Sequence, residues 1–566
     1  MRWGPTLRPG GKTEFALWAP NVREVTLVID GGPDVAMETR DGGWFTGATD
    51  APPGARYRFR LPGGLEVPDP ASRLQNGGVH GWSVVTDPHD YDWRQNDWHG
   101  RPWEEAVIYE CHAGVLGGFA GVMARLPELR DLGVTVVELM PVAAFSGTRN
   151  WGYDGVLPYA PAEAYGTPTE LKTLVDRAHD LGLSVLLDVV YNHFGPDGNY
   201  LGAFASDFFH DAHTPWGQAV SVGREPVARF FIDNALMWLN EYRFDGLRFD
   251  AVHAIDDDAF LDRMGRELRQ ACEGRHINLV LENEANDPDR LEGPYDAQWN
   301  DDFHNAAHVV LTGETASYYE AFADKPAQRL ATTLAEGFSY QGEEIRPGHT
   351  RGAPSGHLPP TAFVNFLQNH DQVGNRAMGE RLSLLVEDEA LKAATALLLL
   401  SPGIAMIFMG DETGSRAPFL FFTDFHDELA DAVREGRRRE FAAFPDFADP
   451  ARRERIPDPN APATFDASFP ELGPQADEWR KLYRELLRIR ADQLVPHLGN
   501  CISLGSDVVG EKAVSASWRL DDGSSWHVLA NLGFTEIERG RPPGKTVFEI
   551  GDLSDGPSCI FTREAP

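Results

Sequence analysis

Phe244-Asp-Gly-Leu-Arg-Phe-Asp-Ala-Val-His-Ala-Ile255 is the stretch on which the reading of this chain turns. Its β-prone core, Gly246 to Phe249, carries an arginine and an aspartate two residues apart, Arg248 and Asp250. In a strand, residues i and i+2 point to the same face, so the two side chains project together from the end of a buried strand. Burying such a pair is costly unless both charges are matched. Taken alone, the pair reads as a structural salt bridge, because ion-pair networks also perturb carboxylates. Its meaning depends on what stands at the ends of the other strands.

Outward from this stretch, β and α patterns alternate. Helical periodicity covers residues 226–242 before it and 258–272 after it. Further strand candidates are Val107-Ile-Tyr-Glu-Cys111, Val134-Thr-Val-Val-Glu-Leu-Met-Pro141, Ser184-Val-Leu-Leu-Asp-Val-Val-Tyr-Asn-His193 and Asn278-Leu-Val-Leu-Glu282. Ala297-Gln-Trp-Asn-Asp-Asp-Phe-His304, the run from Thr361 to Asp371 and the run from Ala405 to Glu412 complete a set of eight. Helical segments at 122–132 and 168–181 separate the first of them. Near-continuous apolar strands alternating with helices imply a parallel sheet buried on both faces. Eight such units predict an α/β protein with a (β/α)8 TIM barrel at residues 101–495. An open doubly wound sheet is the alternative, but no GxGxxG follows the first strand.

Two segments depart from the repeat. Residues 194–222, after the third strand, are rich in Gly, Asp, His and aromatics and suit a loop unit over a pocket. Residues 427–455 carry the basic run Arg434-Glu-Gly-Arg-Arg-Arg-Glu440, which predicts a helix with a solvated face. On either side of the barrel the pattern is all-β. Residues 1–100 hold short β-prone runs between Gly-, Pro- and Asp-rich turns, and residues 496–566 hold a hairpin signal at Asp521-Asp-Gly-Ser524. Each end predicts a small β-sandwich.

A chain of 566 residues is too long for one core. Lys+Arg 51 against Asp+Glu 86 leaves a net charge of −35. Such a surface repels phosphate backbones and anionic lipid, so nucleic-acid and membrane partners are not expected and a neutral substrate is. Four scattered cysteines, Cys111, Cys272, Cys501 and Cys559, lack metal-ligand or CxxC spacing. No secretory h-region follows Met1, and the most apolar run is broken at Ser401-Pro-Gly403. A cytoplasmic protein with reduced thiols is expected, with neither cofactor nor metal.

Polar residues terminate successive strands: Asp188 with Asn192 and His193, Arg248 with Asp250, Glu282, Asp302 to His304, His370 with Asp371, and Asp411 with Glu412. In a barrel these all lie at the C-terminal rim, where active sites sit. Several carboxylates with Arg and His, and no nucleophilic Ser or Cys motif, suit glycosyl transfer. That chemistry needs one ionised carboxylate and one protonated carboxyl group. A cation beside one of them separates their protonation states, and apolar surroundings raise the other. Arg248 beside Asp250, and Glu282 at the end of Leu279-Val-Leu281, supply those two environments. Glu284 is the competing acid, since i and i+2 share a face.

Asp188-Val-Val-Tyr-Asn-His193, Gly246-Leu-Arg-Phe-Asp-Ala-Val-His253, Leu281-Glu282 and Asn369-His-Asp371 resemble the four ordered motifs of the α-amylase family. The resemblance implies a retaining mechanism with Asp250 as nucleophile, Glu282 as general acid and then base, and Asp371 as stabiliser. It implies that Tyr153, His193, Arg248 and His370 contact the sugar, with Asp154, His253, Asp302, Phe303, His304 and Gln372 also lining the cleft. The segment from Phe15 to Pro20 is similar to the modules that precede such barrels in branching and debranching enzymes. Glu138-Leu-Met-Pro141, Asn150-Trp-Gly-Tyr-Asp-Gly155 and Gln298-Trp-Asn-Asp-Asp-Phe-His304 resemble two subfamilies, the glycogen-branching enzymes and the maltooligosyltrehalose trehalohydrolases. Pro418-Phe-Leu-Phe-Phe-Thr-Asp424 resembles the second of these. This implies hydrolysis of the α-1,4 bond beside a terminal trehalose, and pairing in the cell with an enzyme that forms maltooligosyltrehalose. Branching or debranching of α-glucan, or a non-catalytic glucan-binding role, are the alternatives. The loop after Cys111-His-Ala-Gly114 is short for the family. Gly410-Asp-Glu-Thr413 stands where an acidic pair followed by Trp is commoner.

Overall fold

Eight short apolar strands close on one another in chain order. They are β1 (Val107–Cys111), β2 (Val136–Leu139), β3 (Ser184–Val189), β4 (Gly246–Phe249), β5 (Asn278–Leu281), β6 (Ala297–Trp299), β7 (Phe363–Asn365) and β8 (Ile404–Phe408). All neighbours are parallel, and β8 pairs back onto β1 through Val107 and Ala405. Every residue of these strands is buried, as a sheet covered on both faces requires. The computed structural model describes residues 2–214, 217–255, 257–346, 348–444, 447–537, 539–553 and 556–566. Residues 215, 216, 445 and 446 belong to the two expected insertions and lie outside the described residues.

The strand period of two explains where the polar side chains go. Ile108, Val136, Leu186 and Val280 pack together inside the barrel with Ala297, Trp299, Val364 and Ile404. Two residues further along the same faces stand Glu110, Glu138, Asp188 and Glu282, with Arg248 at the matching place on β4. The rim therefore inherits its charges from register.

The helices around the barrel are α1 (Gly118–Leu132), α2 (Pro168–Asp180), α3 (Glu225–Asn240), α4 (Asp258–Ala271), α5 (Asp301–Thr312), α6 (Pro326–Glu336), α7 (Asp388–Leu400), α8 (Asp427–Glu440) and α9 (Ala476–Ile489). The sixth strand is shorter than its sequence suggests. Asp302, Phe303 and His304 do not lie on the sixth strand, which ends at Trp299. Asn300 caps the Phe303 N–H, and the two aspartates that follow occupy the first turn of α5, where acids suit the helix dipole. α8 does not carry the wholly solvated basic face that its sequence suggests. Its Arg437 is buried and donates to the carbonyls of Gly374 and Arg376, so the basic face is partly a fastening surface.

Residues before the barrel form two antiparallel sheets around Phe15, Leu17, Leu27, Tyr57 and Phe59. Trp3 joins them to α3, with its ring 4.9 Å from those of Trp44 and Phe230 and its Nε1 donating to the Pro226 carbonyl at 3.1 Å. After the barrel comes one five-stranded antiparallel sheet running from Ile502 to Glu564. Helices supply its opposite layer: Trp518 donates to Leu334 on α6 at 3.2 Å, and Trp526 to Leu400 on α7 at 2.9 Å. Among the described residues no helix is long and apolar enough to cross a membrane.

Candidate active site

Arg248 is the hub of the rim. It is 1 % exposed, and its guanidinium lies 3.9 Å over the Trp299 ring. Nη1 donates to Asp188 Oδ2 at 2.7 Å and to Asp250 Oδ1 at 3.0 Å, while Nη2 pairs with Glu282 Oε2 at 2.7 Å. A planar fork with five N–H donors serves three carboxylates at once in a fixed geometry. Asp250 is held from its other side by Asn192, whose Nδ2 donates to Oδ2 at 2.8 Å. The next residue, Ala251, takes φ 39°, a left-handed conformation that costs a side-chain-bearing residue about 1–3 kcal/mol. That turn aims the Ala251 N–H at Glu282 Oε2, 2.8 Å away.

Burial and the neighbouring charges shift several of these groups. Burial raises the pKa of Glu282, Arg248 opposes the rise, and neighbouring Asp250 adds to it. Asp188 is pushed up to about 7 by burial against the pull of Arg248. Burial pulls His370 down, yet the Glu110 carboxylate, 2.5 Å from Nδ1, outweighs it and lifts the imidazole to about 9. His370 is thus an imidazolium at neutral pH.

Asp371 occupies the first turn of the short helix His370–Gly374, which Asn369 caps by accepting from the Asp371 N–H at 2.8 Å. Asn375 donates to Asp371 Oδ1 at 2.9 Å. Tyr153 stacks on His370 with ring centroids 5.0 Å apart, and its hydroxyl donates to Asp188 at 2.5 Å. His193 contacts the Tyr153 carbonyl through Nε2 at 3.0 Å, and burial lowers its pKa. Asp154 accepts from Asn150 at 2.6 Å behind this wall. Tyr153, His193, Arg248, Asp250, Glu282, His370 and Asp371 therefore come together.

Other expected residues fall elsewhere. His253 is exposed beside Glu284, 3.7 Å from its carboxylate, so Glu284 stands apart from the Arg248 hub that engages Glu282. Asp302 is fully buried and saturated: it accepts from Arg351 at 2.7 Å, from the Ser339 and Tyr340 N–H groups at 2.8 and 3.2 Å, and from Asn286 at 3.0 Å. Phe303 is in the core, and His304 bonds the Leu367 carbonyl at 2.6 Å and the Tyr319 hydroxyl at 3.1 Å. These three are not brought to the cleft. Phe419 and Phe422 are buried as well, and Phe419 stacks on Trp151 at 5.4 Å, so that aromatic loop is packing.

Two residues near these carboxylates escape a sequence reading. Asp301, beside Asp302, is half-buried, and burial followed by the Glu282 charge pushes it up to about 8. Adjacent helical residues point about 100° apart, so only the position of the Asn300 cap decides which aspartate faces out. Tyr318 is 66 % exposed and lies within the electrostatic reach of Asp371 and Glu284. No sequence signal marks it. As for metal ligands, one group of described residues has cation-binding spacing, His497, Asp521 and Asp522, and there Arg563 already pairs with Asp522.

Residues 88–211 match the family described as alpha amylase, catalytic domain, and residues 503–562 match a domain of unknown function, DUF3459. The malto-oligosyltrehalose trehalohydrolase of Deinococcus radiodurans is 41% identical over 514 residues, covering 88% of this chain and 84% of that protein. A crystal structure described as an alpha amylase of Salmonella typhimurium has TM-score 0.94 and 44% identity, covering 100% of this chain and 99% of that one. A 1,4-alpha-glucan branching enzyme of Bordetella parapertussis is 36% identical over 274 residues, 43% of this chain and 38% of that protein. At the identity and coverage of the first of these matches, the chain belongs to the malto-oligosyltrehalose trehalohydrolases, glycoside hydrolases built on the α-amylase barrel.

Proposed function

We propose that this enzyme cleaves the α-1,4 bond next to the terminal trehalose of maltooligosyltrehalose, releasing trehalose and a maltooligosaccharide with retention of configuration. The observation that carries the reading is the hub: one buried guanidinium pairs with both Asp250 and Glu282, while burial raises Glu282. Asp250 then attacks the anomeric carbon as Glu282 gives its proton to the glycosidic oxygen, so the C–O bond breaks and trehalose leaves. Glu282, now ionised, takes a proton from water, whose oxygen displaces Asp250 from the same carbon. Asp371 accepts hydrogen bonds from hydroxyls of the distorted sugar, and Tyr153, His193 and His370 wall its ring.

The test is product analysis with maltopentaosyl trehalose. Free trehalose and maltopentaose are expected, whereas new α-1,6 branches on amylose would make the chain a branching enzyme. Asp250→Ala and Glu282→Gln should each lose at least ~10²–10⁴ in rate. Near-wild-type release by either variant would overturn the assignment.

The remaining parts of the reading are a cytoplasmic location, supported by four buried free cysteines, and pairing with an enzyme that forms maltooligosyltrehalose. Residues 1–100, 101–495 and 496–566 are proposed as its three domains.

A further inference from the structure

We propose that Asp301 holds the leaving disaccharide: its carboxyl group, set between Glu282 and Asp371, binds a hydroxyl of the sugar that departs on the Glu282 side. This rests on the reading of Asp250 and Glu282 as nucleophile and acid.

Register places the residue. Asp301 opens α5 two residues after β6, which pairs with β5 on one side and β7 on the other. Glu282 directly follows β5, and Asp371 lies a few residues beyond β7, so the rim order sets Asp301 between them. Its neighbours Asp302, Phe303 and His304 turn into the interior, while Asp301 stays half-open to the cleft.

Hydrogen-bond capacity distinguishes the two adjacent aspartates. Asp302 accepts from four groups and is closed to any ligand. Asp301 accepts one long bond, from Gln372 Nε2 to Oδ1 at 3.3 Å, and among the described residues no Lys, Arg or His forms an ion pair with it. A protonated carboxyl group offers one O–H donor besides its acceptor sites, so with one long bond made most of its capacity faces the cleft. Leaving a partly buried carboxyl group unpaired is costly, which a sugar hydroxyl would relieve. The ring on the Asp250 side is already walled by Tyr153, His193 and His370. Beyond Glu282 stand Asp301 and its partner Gln372.

Leaving-group dependence tests this. In a maltooligosyl fluoride, fluoride departs without a proton and no sugar occupies the leaving side. For Asp301→Ala, kcat/KM on maltotriosyl trehalose should fall about 10- to 100-fold, the cost of leaving the sugar hydroxyl without its buried hydrogen-bond partner. The first-turnover burst of fluoride from α-maltotriosyl fluoride should stay within about threefold of wild type. Asp301→Asn, which keeps the shape and part of the hydrogen bonding, should fall between them. Equal losses on both substrates, or no loss on the trehaloside, would overturn the proposal. Glu282→Gln is run in parallel. If that variant keeps its activity on the trehaloside, the assignment of the acid fails, whatever Asp301 does.

Discussion

Replacing Arg248 with methionine keeps the length of the side chain and removes its charge. Three carboxyl groups, Asp188, Asp250 and Glu282, then face one another without the cation that each contacts within 3.0 Å. Breaking a buried ion pair by deleting one partner costs about 3–5 kcal/mol, because the other charge stays buried. Three partners are stranded here, so the upper end of that range is expected near neutral pH. The sign of the pH dependence follows from linkage. Asp188 already sits at about 7, and both it and Glu282 are raised by burial and lowered by Arg248. Without Arg248 they rise further, so the native state binds more protons than the unfolded chain above pH ~4. Stability of the variant must therefore fall as pH increases through that window, and its deficit against wild type must be larger at pH 8 than at pH 5. Urea unfolding followed by tryptophan fluorescence at the two pH values measures it. A deficit below about 1 kcal/mol, or one that does not change with pH, would refute the hub as the organiser of the site.

Other consequences are independent. Asp302→Ala should cost about 3–5 kcal/mol by stranding the half-buried Arg351 and two buried backbone N–H groups, read as a lower urea midpoint. His370, lifted to about 9 from an ordinary 6.5, adds stability that is complete below pH 6.5 and lost as pH rises towards 9. The loss is roughly 3 kcal/mol, and His370→Asn should lack that slope in unfolding measured from pH 6 to 9.5. All four cysteines are buried and free, and burial pushes their thiols up, Cys501 to about 12. A thiol reagent should therefore label none of them in the native enzyme and all four in denaturant.

The barrel was legible because its strands are near-continuous apolar runs alternating with helices, and the strand period of two carries Glu110, Asp188, Arg248 and Glu282 to the inner rim. Asp250 and Asp371 follow from motifs beside those runs. What the sequence conceals is the point where a strand gives way to a helix. Asp302 reads as a rim residue only if the strand continues past Trp299, yet the Asn300 cap ends it there and exchanges the roles of two adjacent aspartates. Arg437 lies in a run of charges that reads as solvated. Its burial depends on two carbonyls, at Gly374 and Arg376, that are distant in sequence. Tyr318 comes near the charges of Asp371 and Glu284 by tertiary placement of a 3-10 segment, which no local pattern encodes.

Retention of configuration requires a covalent intermediate on Asp250, formed with help from Glu282. Glu282→Gln treated with α-maltotriosyl fluoride should accumulate a glycosyl-enzyme, because fluoride leaves without an acid while the base for its hydrolysis is missing. Peptide mass spectrometry after acid quench should find one maltotriosyl unit on the peptide bearing Asp250, and none once Asp250 is also changed to alanine. A label on Asp371, Asp301 or Glu284, or a label that survives loss of Asp250, would contradict the account.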